Sequence, residues 1–484
     1  MSSPRKTLTR RVTAGLGIAG IAAAAMLGSV APASAAPGPG NINPDAPKSL
    51  TIHKFEQPAT EGTPPDGTVQ NTNGLTKLVG VKFKIQEVTN IDLSTNAGWA
   101  ATEGLTPGDV SAANLGAATE LATDANGVAT FTGLKQAVYL VTETDRGANN
   151  IAFAAKPFLV TLPLPKASDN TWIYDVHVYP KNSLTTLEKS IDDTNATGLG
   201  SDVTWNIAVG IPAKSEGNTL DSYLITDQLD SRLTFKSATV VLNGATLVEG
   251  TDYTLSTTGG VVVIDFNSTG LGKLAAAAGS TVSVALATTV TSVGDGAITN
   301  KAQSFINGTD PAHTFDSNTV QTTWGNVLIH KVGKEDTTKN LQGAEFQVYA
   351  SEADAKAGTN PIAVNGVSTF TSGEDGIAKI DGLRATLNGG TTPIDYWLVE
   401  TKAPAGYQIA LEYSQANPVK FNVTPGTATE AAMTVEDPQI PPFTLPLTGG
   451  SGNIMFMAAG LGLLSIAGGA VIWQRAARRK TVTA

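Results

Sequence analysis

Short runs in which apolar and polar residues alternate dominate the chain. Val81-Lys82-Phe83-Lys84-Ile85 and Thr281-Val282-Ser283-Val284 are two of them. A period of two puts every other side chain on one face, so each run predicts a β-strand with one side buried. Gly, Thr, Val, Asn and Asp are abundant and aromatic residues few, which suits many short strands joined by turns. No long amphipathic helix is predicted outside the two ends of the chain. Residues 351–358 mark a short helical insert. The predicted class is all-β, built from tandem sandwiches.

The strand pattern repeats. Near the start the order is Leu50-Thr51-Ile52-His53-Lys54-Phe55, then Gly80-Val81-Lys82-Phe83-Lys84-Ile85, then the turn and strand from Asn126-Gly127 to Gly133-Leu134, then Tyr139-Leu140-Val141-Thr142-Glu143-Thr144. The same order returns as Leu328-Ile329-His330-Lys331-Val332, Gly343-Ala344-Glu345-Phe346-Gln347-Val348, the stretch from Asp375-Gly376 to Gly382-Leu383, and Tyr396-Trp397-Leu398-Val399-Glu400-Thr401. Four matches in one order predict two domains of one fold. Between them, 183–324 carries strands such as Val261-Val262-Val263-Ile264-Asp265 but lacks the repeat. The expected division is a signal peptide at 1–35, a first domain at 36–182, a middle domain at 183–324, a third domain at 325–442, and a C-terminal signal at 445–484. Short connections would join the domains end to end as an elongated rod.

The ends change the picture. Arg5, Lys6, Arg10 and Arg11 precede an apolar run and then Ala33-Ser34-Ala35, which together read as a secretory signal peptide. At the other end, the apolar segment 454–473 is long enough to span a bilayer as a helix, and Arg475, Arg478, Arg479 and Lys480 follow it. Directly before it stands Leu445-Pro446-Leu447-Thr448-Gly449. The net charge of −10 understates the exported part, because each end carries four basic residues and no acidic one. An acidic exterior argues against nucleic acid as a partner. The chain has no cysteine, so an exported protein of this kind must be stabilised without disulfides.

These features resemble a known family. LPLTG with a span and a basic tail resembles the cell-wall sorting signal of Gram-positive surface proteins. The resemblance implies that sortase cuts between Thr448 and Gly449 and passes the Thr448 carbonyl to an amine. The segments IHK, GAEFQVY, DGIAKIDGL and YWLVETKAPAGYQI resemble the collagen-adhesin B-type repeat, an immunoglobulin-like sandwich. With the sorting signal, the whole chain resembles shaft pilins of the SpaA and FimA type. The middle domain is similar to the larger central domain of those pilins.

The resemblance also implies which residues carry chemistry. Trp172, Val176, Val178, Tyr179, Pro180 and Lys181 meet every fixed position of the pilin motif WxxxVxVYPK, so Lys181 is the expected amine. Alternation points Val176 and Val178 inward. Pro180 cannot donate to a ladder, so it is expected to release the chain and present Lys181 at a domain edge. The family further forms isopeptide bonds inside its domains, in which a lysine of the first strand attacks an Asn or Asp of the last and an acid assists. Burial must keep the lysine neutral and the acid protonated, and the sandwich must hold the groups in contact. The expected sets are Lys331, Glu400 and Asp437 in the third domain, with Asn422 a weaker acceptor; Lys189, Asp227 and Asn300 in the middle; and Lys54, Glu143 and Asn182 in the first. Asn182 adjoins Lys181, so closure there would fix the linking lysine.

Other chemistry is not legible. The four histidines are scattered, and no metal-ligand spacing, phosphate loop or nucleophile–base arrangement appears. No cofactor or metal is expected. The expected function is therefore a structural subunit, a sortase substrate and not a turnover enzyme. It polymerises covalently through Lys181 and Thr448 into a cell-surface fimbrium that is finally anchored to peptidoglycan and mediates adhesion. Its expected partners are sortase, identical subunits, and tip or base minor pilins, with a host receptor left open. The alternative is a monomeric wall-anchored adhesin, which needs the sorting signal but not Lys181.

Overall fold

The structure, a computed structural model, describes residues 39–58, 64–166, 168–214 and 217–443. The leader, the LPLTG motif and the apolar segment 454–473 lie outside the described residues. Among those described, no helix is long and apolar enough to cross a membrane.

Strands dominate, as the alternating pattern predicts. In the first sandwich, Ser49–His53 lies between Asp175–Val178, to which it is parallel, and Val128–Thr132, to which it is antiparallel. The facing sheet orders Thr119–Ala122, Lys82–Glu87, Ala137–Asp145 and Phe158–Leu162. Leu50, Ile52, Phe83, Ile85, Val141, Val176 and Val178 fill the space between them. The third sandwich repeats this plan. Val320–Gly333 pairs with Met433–Asp437 in parallel and with Ile377–Arg384 antiparallel. Glu345–Tyr349 and Tyr396–Lys402 lie in the facing sheet. The middle unit has two five-stranded sheets, one containing Leu187–Asp192 and Asp202–Gly210, the other Tyr223–Gln228 and Ala302–Ile306.

Two helices were differently legible. The insert is helical over Glu352–Ala357, capped by the Ser351 side chain and stopped by Gly358 in the left-handed region. Ser268–Ala276 is a helix that the alternation gives no hint of. Its two glycines weaken it, but Asn267 accepts from Thr269 N and Gly270 N to start it. Gly270 is required there because a β-carbon would stand about 2.0 Å from the Asp252 carbonyl oxygen.

The two junctions differ. Two residues separate Lys181–Leu184 of the first sandwich from Leu187–Asp192 of the middle unit. Arg146 reaches across to the Ala312 and Pro311 carbonyls at 2.6 and 2.9 Å. At the second junction the chain does not break. Val320–Gly333 pairs first with Ala297–Asn300 of the middle unit and then with strands of the third. One apolar cluster, from Trp205 through Trp324 to Tyr396, runs through both units. Arg384 and Asp193 form a buried ion pair inside it, and Thr322 donates to the second Asp193 oxygen at 2.7 Å.

Candidate functional site: a buried lysine and acid in each sandwich

Each sandwich buries a lysine against acid: Lys54 against Glu143, Lys189 against Asp227, and Lys331 against both Glu400 and Asp437. In the third, Lys331 lies wholly inside, with its Nζ 2.6 Å from Asp437 Oδ1 and 3.0 Å from Glu400 Oε2. Lys331 comes from the first strand, Asp437 from the last, and Glu400 from the facing sheet. The parallel register pairs Gly333 with Asp437, so the acceptor sits opposite the position two beyond the lysine. Burial pushes the Glu400 carboxyl up to about 8; Lys331 opposes this and Asp437 adds to it. At neutral pH Glu400 therefore holds a proton, which a general acid needs.

The first sandwich reproduces the geometry. Asn182 pairs with Glu56, again two beyond the lysine. Lys54 donates to Asn182 Oδ1 and lies 2.9 Å from Glu143 Oε2. Asn182 Nδ2 donates to Glu143 Oε1 at 2.6 Å. Burial lowers the Lys54 amine to about 8, against the pull of Glu143. Its free-base fraction at neutral pH is thereby far larger than that of an exposed lysine.

The middle unit brings together Lys189 and Asp227, whose Nζ and Oδ2 are in direct contact. Burial lowers the lysine and raises the acid. Asn300 is buried beside them, and neither polar atom of its amide makes a well-formed hydrogen bond. The Asn300 amide is close enough to Asp227 to oppose part of the rise that burial imposes on its carboxyl.

Backbone features not legible as site residues complete the two matching sites. Gly127 and Gly376 both adopt φ +73°, and a β-carbon there would stand 2.8 and 2.7 Å from the carbonyl oxygens of Lys54 and Lys331. Each glycine carbonyl accepts from the amide N of its lysine at 2.8 Å. Each acceptor oxygen also receives a backbone N–H. Ala155 donates to Asn182 Oδ1 at 2.7 Å, and Ala410 to Asp437 Oδ1 at 3.1 Å. Such a donor polarises the carbonyl that an amine would attack. The glycines could have been found in the sequence repeat; the alanines carry no sequence signal.

Two expectations need correction. Asn422 is exposed and donates to the Ile394 carbonyl and Asp395, so it is not at the Lys331 site. Pro180 does not release Lys181 from the sheet. It divides one edge into two segments, and the chain re-enters a strand at Lys181–Leu184, where Lys181 pairs with Phe55. Ser49–His53 and Phe55–Glu56 are interrupted at Lys54, so both partners break at the same level. Lys181 is half-buried, and no hydrogen bond or ion pair holds its amine. The rest of the motif is fixed: Tyr179 stacks on His53 at 4.7 Å, and Trp172 Nε1 donates to Asn41 at 2.8 Å.

Among the described residues, no cluster of three or more His, Asp or Glu side chains is arranged to hold a metal ion. A cavity of about 500 Å³ between Phe153, Leu220 and Leu271 is lined by none of the buried lysine sets.

Tandem sandwiches of this kind, with a lysine buried between first and last strands, define a Gram-positive pilin. Residues 45–183 match the N-terminal D1 domain of Gram-positive pilin subunits, and 325–437 match the SpaA prealbumin-like fold domain. Residues 185–323 match the Sgo0707 N2 domain, and 438–482 the LPXTG cell wall anchor motif. The chain is 36% identical to fimbrial subunit type 2 of Actinomyces naeslundii, covering 98% of each chain. It is 35% identical to fimbrial subunit type 1 of Actinomyces viscosus, over 96% of this chain and 97% of that one. The full-length major pilin SpaD of Corynebacterium diphtheriae superposes with a TM-score of 0.71 at 27% identity, covering 83% of this chain and 99% of that one. The chain belongs to the family of Gram-positive fimbrial subunits. It is a shaft subunit of a cell wall-anchored surface fimbria.

Proposed function

We propose that sortase joins the subunits through Lys181 of one and Thr448 of the next. In this reading the Thr448–Gly449 bond is cut, the new amine leaves on Gly449, and the Thr448 acyl group passes to Lys181. The lysine gives up one proton, and a single amide replaces the one broken. The observation that carries the proposal is the unpaired amine of Lys181, held in a strand whose preceding motif is fixed by stacking and hydrogen bonds. A heat- and detergent-stable ladder from wall extracts should collapse to monomer in Lys181→Ala. A ladder that survives would reject Lys181 as the joining residue.

We further infer that Lys54, Lys189 and Lys331 each close an amide without an enzyme. In the third sandwich Lys331 Nζ attacks Asp437 Cγ and water leaves; Glu400 supplies the proton to the leaving oxygen. Lys54 with Asn182, and Lys189 with Asn300, would release ammonia, assisted by Glu143 and Asp227. The contacts of lysine with acid in all three units, and of lysine with acceptor in the first and third, support the reading. The secreted chain should be lighter than its sequence mass by one water and two ammonia molecules. A mass equal to the sequence mass would contradict it.

A further inference from the structure

Beside the first-sandwich site, two imidazoles face each other nitrogen to nitrogen. His53 Nε2 lies 2.9 Å from His177 Nδ1, on adjacent parallel strands. On the far side of His177, Nε2 faces Asp175 Oδ2 at 3.3 Å, and Ser49 Oγ donates to the other Asp175 oxygen at 2.5 Å. The His53 ring stacks on Tyr179, with centroids 4.7 Å apart, and meets the His177 ring edge to edge, with centroids 5.2 Å apart. The Tyr179 hydroxyl is itself fixed, since it accepts from Gln70 N at 2.7 Å. Both rings are thus oriented before any ligand arrives.

We propose that this pair is a two-histidine site for a divalent transition-metal ion of the zinc or copper class, with His53 Nε2 and His177 Nδ1 as ligands. Tetrahedral coordination at bond lengths of about 2.0–2.1 Å needs the two nitrogens roughly 3.3 Å apart, so the rings need part only slightly. The hydrogen now shared between them moves to the free nitrogen of His53, and both ligands stay neutral imidazoles. Asp175 then stands where an outer carboxylate orients a metal-bound imidazole. Water fills the remaining positions, because the site opens beside the exposed Asp175. A bound ion would tie Ser49–His53 to Asp175–Val178 immediately ahead of Lys181. The equivalent imidazole of the third sandwich, His330, instead hydrogen-bonds Asn340 at 2.8 Å, so the site belongs to the first sandwich alone.

The test is calorimetric titration of the tag-free secreted chain with Zn²⁺, Cu²⁺ and Ca²⁺. Cu²⁺ should bind more tightly than Zn²⁺, and Ca²⁺ should not bind here. His177→Asn, which keeps a partner of the kind His330 already uses, should abolish the site, and so should His53→Asn. Asp175→Asn should weaken it roughly tenfold. The electron paramagnetic spectrum of bound Cu²⁺ should show coupling to imidazole nitrogens that either histidine variant loses. Metal-free unfolding curves establish that each variant is folded. Binding absent from the wild type, or unchanged in folded His53→Asn and His177→Asn chains, would overturn the proposal.

Discussion

At the scale of the residue, the proposed amide chemistry depends on a few protons and, in the first and third sandwiches, on one backbone N–H each. Glu400→Gln leaves shape nearly unchanged but removes a carboxyl that burial keeps protonated to about 8. The third-sandwich amide should then form only slowly or not at all, and intact mass should show one water retained. Ala410 has φ −63°, the value proline prefers. Ala410→Pro therefore removes the donor to Asp437 Oδ1 with little backbone strain, and should slow closure while leaving the fold intact; mass against time after refolding from denaturant would measure it. The Lys54 shift gives a pH test in Asn182→Ala, where closure is impossible but burial and Glu143 remain. A lysine at about 8 in the folded chain and 10.5 in the unfolded one loses its proton first on folding. Between those values the unfolded chain binds more protons, so stability should rise with pH across that window. Urea midpoints at about pH 7.5 and 10, referenced to Lys54→Met/Asn182→Ala, would show the rise; a flat difference would contradict it.

At the scale of the element, alternation made the strands legible, and the repeat made the two matching sandwiches legible. The repeat also placed Lys54 with Lys331 and Glu143 with Glu400, because strand order conserves which side chains face inward. What stayed hidden was set by backbone path. The Ser268–Ala276 helix has poor propensity and is held by its cap and by packing against the Asp252 turn. The return of Lys181 to a strand depends on a matching interruption at Lys54, which no local pattern encodes. The donors Ala155 and Ala410 act through main chain, so their identities carry no signal. The turn glycines test the element directly. Gly376→Ala would put a β-carbon 2.7 Å from the Lys331 carbonyl oxygen at φ +73°. The left-handed cost of about 1–2 kcal/mol adds to that clash. The Lys331 strand should shift, and the yield of the third-sandwich amide, read by mass, should fall.

At the scale of the whole molecule, two features would carry load along the chain. The first is the proposed set of amide ties from first strand to last. By the loop-closure argument, an amide spanning a hundred residues or more adds about 4–5 kcal/mol, and it stops a pull from unzipping the sandwich. The second is the uninterrupted strand Val320–Gly333, which makes the middle and third units share one core. Arg384→Ala would leave Asp193 buried without its cation. That should destabilise the junction by about 3–5 kcal/mol in equilibrium unfolding. Neither feature joins one subunit to the next; in the proposed linkage that role falls to Lys181. The most direct measurement is tandem mass spectrometry of protease-digested fimbriae, sequencing the branched peptides. A branch in which Lys181 Nζ carries a chain ending at Thr448 is the predicted result. A branch on any other lysine, with Lys181 recovered unmodified, would contradict the account.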